Sequence, residues 1–109
     1  MHLSRTQILI QLLISTVATA SGTSQVLAAD ADHGGDLARR WCATCHLVDG
    51  TQKQANADVP SFAMIAQKSG FTPEKVAFFL LDPHPKMPNF PLSRNEAADI
   101  AAYIGSLRK

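Results

Sequence analysis

The sequence predicts an all-α domain, and three observations carry that expectation. Apolar residues recur at helical intervals in several segments, three of these open on a recognisable capping residue, and no stretch shows the period-2 alternation of a half-buried strand. The chain has 109 residues, 46% of them hydrophobic and 17% charged, which fits one small domain. A multidomain enzyme is excluded by that length.

The first element is a leader. Residues 1–29 carry a single charged side chain, Arg5. The apolar stretch from Ile8 to Ala20 is followed by small residues ending Val26-Leu27-Ala28-Ala29, the layout of a secretory signal. A membrane span needs about 20 apolar residues, and this run is interrupted by Gln11 and softened by Ser15, Thr16 and Thr19. Cleavage after Ala28 is expected, within a window of 20 to 29, with Ala20 as the other candidate. That leaves 29–109 as the mature domain, exported to an oxidising compartment, the periplasm.

In the mature chain Asp36 to Cys45 reads as the first helix, preceded by Gly34 and Gly35, with Leu37, Ala38, Trp41 and Cys45 along one face. Periodicity then stops from Val48 to Val59, a polar stretch with a turn signal at Asp49-Gly50, read as a surface loop. After Pro60, Ser61 caps a short helix carrying Phe62, Ile65 and Ala66 that ends at Gly70. Thr72-Pro73 opens the third helix, with Thr as the cap and Pro at the first helical position, and Val76, Phe79 and Leu80 as its buried residues. Asp82 to Pro91 holds four of the six prolines, so neither a helix nor a central strand is expected there. Ser93-Arg94-Asn95-Glu96 is a capping box, and Ala97, Ile100, Tyr103, Ile104 and Leu107 mark the buried face of the last helix.

Charge narrows the partners. Ten Lys and Arg face nine Asp and Glu, and Arg5 alone of these lies in the leader, so the mature part balances at nine against nine. Nucleic acid is an unsuitable partner for such a chain, because binding phosphates needs a basic patch that neutralises several charges at once.

The chemistry concentrates in Cys42-Ala43-Thr44-Cys45-His46. Cys-x-x-Cys-His is the attachment signature of c-type haem: two thiols add to the porphyrin vinyl groups and the adjacent imidazole reaches the iron. A thiol-disulfide redox motif belongs near a βαβ pattern, which is missing, and a structural zinc site needs four ligands where only one Cys pair exists. Both cysteines are consumed by the attachment. The sixth iron position then decides function. Met1 leaves with the signal, and Met64 lies inside a helix next to Phe62 and Ile65, where core packing is the expectation. Met87 lies in the proline-stiffened segment and is the candidate axial thioether, with His84 as the competing ligand. Thioether ligation raises the potential and closes the iron to exogenous ligands, which suits electron transfer. Trp41, Phe62, Ile65, Phe79, Leu80 and Phe90 are candidate pocket-lining residues.

Taken together, Cys42-Ala43-Thr44-Cys45-His46, the Met87-Pro88 pair and Asp99-Ile100-Ala101-Ala102-Tyr103-Ile104 resemble the class I cytochromes c, the small monohaem electron carriers, over roughly Gly35 to Leu107. The resemblance implies about four helices wrapped around one covalent haem. The first and last helices would cross through a small residue and an aromatic, here Gly34 or Ala38 against Tyr103. It also implies that Pro60 offers its carbonyl to the free ring nitrogen of His46, while a proline that merely starts a helix is the plainer account of that residue. Lys53, Lys68, Lys75 and Lys86 are candidates for a ring around an exposed haem edge that meets an acidic partner, though scattered solvated lysines are the ordinary case.

The function expected is that of an exported, monomeric single-electron carrier rather than an enzyme, working between redox protein donors and acceptors. The alternatives are a dedicated electron-transfer subunit of a dehydrogenase or oxidase complex, and a haem sensor or catalyst with an open sixth site.

Overall fold

The computed structural model describes residues 27–53, 56, 58–82 and 86–109. The leader up to Val26 and the candidate ligand His84 therefore lie outside the described residues. Four helices follow one another among the described residues: α1 over Ala31–Trp41, α2 over Phe62–Ala66, α3 over Pro73–Leu81 and α4 over Arg94–Ser106.

Helix α1 begins five residues earlier than the sequence suggests. Asp30 is its cap, accepting from the backbone amides of Asp32 and His33, so Gly34 and Gly35 lie inside the helix and not before it. The glycines are there for space, since helix α4 crosses directly over them. A Cβ on Gly34 would overlap the Asp99 backbone carbonyl, and a Cβ on Gly35 would press at 3.1 Å on the Tyr103 ring. The crossing expected to use Gly34 or Ala38 against Tyr103 is thus made by Gly35 against Tyr103, with Gly34 against the α4 backbone. Helical spacing alone does not register this, because glycine weakens a helix pattern on propensity grounds whether or not a packing reason outweighs that loss. Helix α1 also ends at Trp41, so Cys42 to Cys45 form turns and not a last helical turn.

The other three caps are those the sequence predicts. Ser61 accepts from the Met64 amide at the start of α2, Thr72 from the Lys75 amide at the start of α3, and Ser93 from the Glu96 amide at the start of α4. The Glu96 carboxylate returns the favour by accepting from the Ser93 amide at 2.7 Å, completing the capping box. Gly70, with φ of 73°, supplies the left-handed residue that turns the chain between α2 and α3.

The core is built on α4, which packs against all three other helices. Leu37, Ala38, Cys42, Val48, Phe62, Ala66, Ile100 and Ile104 form its buried cluster, with Ile65, Val76, Leu80, Tyr103 and Leu107 half-buried against it. Two expectations are corrected. Phe79, read as buried, is 52% exposed, and Met64, read as core, is 64% exposed. A helix can turn only one stripe toward its neighbour: α2 turns Phe62 and Ala66 inward and α3 turns Val76 and Leu80, which leaves Phe78 and Leu81 exposed along with Phe79.

Candidate haem-binding site

The site is assembled by the end of α1, the turns after it, and the start of α2. Cys42 caps the C-terminus of α1, where its amide donates to the Ala38 carbonyl at 2.8 Å, and its sulfur is buried. Burial pushes the Cys42 thiol up to about 11, because the apolar surroundings disfavour a thiolate. Cys45 follows within the same turn and is exposed. The amide of His46 donates to the Cys42 carbonyl at 2.9 Å, so the first cysteine and the histidine are tied together through the backbone.

The His46 side chain is buried and held at two places. Its Nδ1 lies 2.7 Å from the Pro60 carbonyl, and its ring packs at 5.4 Å, centroid to centroid, on Phe62. A carbonyl oxygen can only accept, so Nδ1 carries the proton and Nε2 is left with the lone pair. Such a bond fixes the tautomer and orientation of a ligating imidazole and makes it more basic. Ser61, directly after Pro60, caps α2, and the Phe62 amide donates to the Leu47 carbonyl at 3.0 Å. Proline, helix cap and histidine turn are therefore one connected unit.

The remaining residues singled out from the sequence divide. Phe62 lies in the buried core, and Ile65, Leu80 and Phe90 are half-buried. Trp41 is 39% exposed and meets Phe90 with ring centroids 5.8 Å apart. That contact joins the end of α1 to the segment after Met87, which is itself half-buried. Lys53, Lys68, Lys75 and Lys86 are all exposed. Lys75 donates to the Gly70 carbonyl at 3.1 Å, so it serves the α2–α3 turn.

Two side-chain roles that sequence reasoning passed over shape the site. Gln52, in the stretch read as a polar surface loop, uses its whole side-chain amide on the turn around His46. Tyr103, read as part of a buried face and as the aromatic of the helix crossing, also donates its hydroxyl to the Val48 carbonyl at 2.8 Å. Neither leaves a mark in the sequence, since an isolated Gln in a polar loop and a Tyr on an apolar stripe have ordinary surface and core roles.

The donor set fits a covalent haem. Two sulfurs three residues apart share one turn, the buried one is protonated and loses nothing by becoming a neutral thioether, and the following imidazole presents Nε2 as its sole free lone pair. Among the described residues no group of three or more His, Cys, Asp or Glu is arranged to hold a bare metal ion.

The comparisons agree with that chemistry. A family model described as cytochrome C oxidase, cbb3-type, subunit III matches residues 29–104. A cytochrome c-552 from Bradyrhizobium diazoefficiens is 68% identical over 92 residues, which make up 84% of this chain and 88% of the relative. No solved structure matches the chain. The chain belongs to the cytochrome c family as a small monohaem electron-transfer member, and with that family comes one covalently attached haem c.

Proposed function

We propose that the protein is an exported, periplasmic single-electron carrier in which Cys42 and Cys45 hold the haem as thioethers and His46 and Met87 are the axial ligands. The observation that carries this reading is the 2.7 Å approach of His46 Nδ1 to the Pro60 carbonyl, which aims Nε2 as a ligand from a histidine directly after the second cysteine. The haem, when bound, supplies an iron that takes up and releases one electron. The chain's own residues do the rest. Pro60 keeps the imidazole in one tautomer and orientation in both oxidation states. Burial of His46 and Phe62 lowers the local dielectric, which penalises the more highly charged ferric form and raises the potential, in the same direction as a thioether ligand. Met87 comes from a segment in which Pro88 and Pro91 restrict the backbone, and the Trp41–Phe90 contact ties that segment to the helix preceding Cys42. In this reading the leader ends at Ala28, no segment of the mature chain inserts into a membrane, and the redox partners are proteins. Among the described residues no helix is long and apolar enough to cross a membrane, which supports the second point.

The test is Met87→Ala. The purified wild type should show the weak sulfur-to-iron band in the ferric state and resist carbon monoxide in the ferrous state. Met87→Ala should lose the band, bind carbon monoxide and show a lower midpoint potential. An unchanged spectrum in the variant would move the ligand role to His84 or Met64. A second reading, a dedicated electron-transfer subunit of a periplasmic dehydrogenase or oxidase complex, is favoured by the matching family, which is described as a subunit of a cytochrome c oxidase. Co-purification from native membranes separates the two, because a free carrier is recovered in the soluble periplasmic fraction.

A further inference from the structure

The backbone from Ala43 to Asp49 carries the attachment turn and the ligand histidine, and it belongs to neither α1 nor α2. A segment of irregular backbone holding a ligand must have its polar groups satisfied by something. Neighbouring backbone supplies part of the answer: the Cys45 carbonyl accepts from Asn56 at 3.4 Å and the Leu47 carbonyl from Phe62 at 3.0 Å. Tyr103 takes the Val48 carbonyl. A single side chain takes a further four of these groups. Gln52 Nε2 donates to the Ala43 carbonyl at 3.1 Å and to the His46 carbonyl at 3.0 Å, while its Oε1 accepts from the Val48 amide at 2.6 Å and, more weakly, from the Asp49 amide at 3.4 Å. An amide offers two donors and one acceptor oxygen, and here all of them are spent on this one turn.

The consequence is geometric. The His46 ring is held by Pro60 at Nδ1 and by its packing on Phe62, and the backbone it hangs from sets where that ring can sit. That backbone is held on its amide side by the Cys42 carbonyl at 2.9 Å and on its carbonyl side by Gln52. We propose that Gln52 is the positioning residue for the axial imidazole: by clamping the carbonyls of Ala43 and His46 and the amide of Val48, it sets the plane in which His46 Nε2 is presented to the iron. This rests on the reading of His46 as an axial ligand. Its role in electron transfer is to keep that plane the same in the two oxidation states, so that little nuclear rearrangement accompanies the electron.

The experiment compares the wild-type holoprotein with Gln52→Met, which has the same chain length and no amide, and Gln52→Glu. Ser93→Ala serves as a control that loses a helix cap away from the turn. The readouts are the exchange rate of the His46 Nδ1 proton in the ferrous state and the pattern of haem methyl shifts in the ferric state, both by NMR. Gln52→Met should exchange that proton about tenfold faster, the factor one hydrogen bond supplies, and should alter the methyl pattern while haem stays covalently attached. Gln52→Glu, when ionised, still accepts from the Val48 and Asp49 amides but no longer donates to the Ala43 and His46 carbonyls, so it should exchange the proton faster than wild type and recover in part when acidification restores one O–H donor. Ser93→Ala should leave both readouts at wild-type values. Unchanged exchange and methyl pattern in Gln52→Met overturn the proposal, and if that variant does not fold, a pH-independent Gln52→Glu with wild-type signals does the same. Failure of the underlying reading is distinguishable: the wild type itself would then lack haem-shifted His46 ring signals, which overturns both.

Discussion

At the scale of single residues, Gly34 is where the smallest side chain carries the largest consequence. Its Cα faces the α4 backbone so closely that the methyl group of an alanine would overlap the Asp99 carbonyl, and the obstacle is backbone, which cannot rotate aside. Alanine ordinarily stabilises a helix by about 1 kcal/mol over glycine. Here forced separation of the helices outweighs that gain, and Gly34→Ala should destabilise the holoprotein by about 3 kcal/mol in denaturant titration. A neutral or stabilised variant would show that α1 and α4 do not approach as closely as described. Gly35 nearby meets only the edge of the Tyr103 ring, at 3.1 Å, and a side chain can shift where a carbonyl cannot. The two adjacent glycines are therefore not equivalent.

Between elements, the junction of α1 and α4 includes an ionisable pair. His33 Nδ1 lies 2.7 Å from Asp99 Oδ2, and Asp99 Oδ1 accepts from the Asp30 amide at 2.7 Å, so one carboxylate on α4 ties down both the cap and the first turn of α1. The hydrogen bond His33 donates to Asp99, helped by the charges of Asp99, Asp30 and Glu96, raises the His33 pKa above its ordinary 6.5. A histidine with a raised folded-state value binds protons more tightly folded than unfolded. Its contribution is thus fully present below pH 6.5 and is lost as pH rises through the higher folded value. The stability difference between wild type and His33→Asn should be largest near about pH 5.5 and shrink by about pH 8.5, as read from chemical denaturation across that range. A difference independent of pH would mean that the pair adds nothing through charge.

For the whole molecule the question is how the roughly 80 residues beyond the proposed leader would sustain a fold, a size at which one hydrophobic core gives only marginal stability. The buried cluster holds few large side chains: Ile100, Ile104 and Val48 are the largest that are fully enclosed. A haem tied to the turn after α1 adds a large apolar body that the protein chain itself does not supply, and binding to the folded state alone shifts the folding equilibrium. Apoprotein prepared by removing the haem, or a Cys42→Ser, Cys45→Ser double variant, should be largely unfolded by far-ultraviolet circular dichroism. Retention of the holoprotein's helical signal would place the stability in the polypeptide core. With the leader removed as proposed, nine Lys and Arg would face nine Asp and Glu, and association with a redox partner is then expected to be only mildly sensitive to salt, as read from binding across ionic strength.

Much of this was written in local signals. The all-α class, the three caps at Ser61, Thr72 and Ser93, and the attachment motif with its histidine are each carried by residues a few positions apart, where periodicity and spacing act directly. The outward turn of Phe79 and Met64 and the role of Gly34 are not local. Each depends on what a distant part of the chain brings alongside: α4 over the glycine, and the stripe α4 selects on α2 and α3. The Asp30 cap and the Gln52 clamp lie within a few residues of their partners, but a cap ahead of two glycines and a Gln in a polar loop carry no periodicity that marks them. Sequence by itself determined the elements and the chemistry they carry, because hydrogen-bond capacity and apolar period belong to the residues. Which side chains hold that chemistry in place was decided only by tertiary packing, because a contact needs two partners and the chain names them far apart.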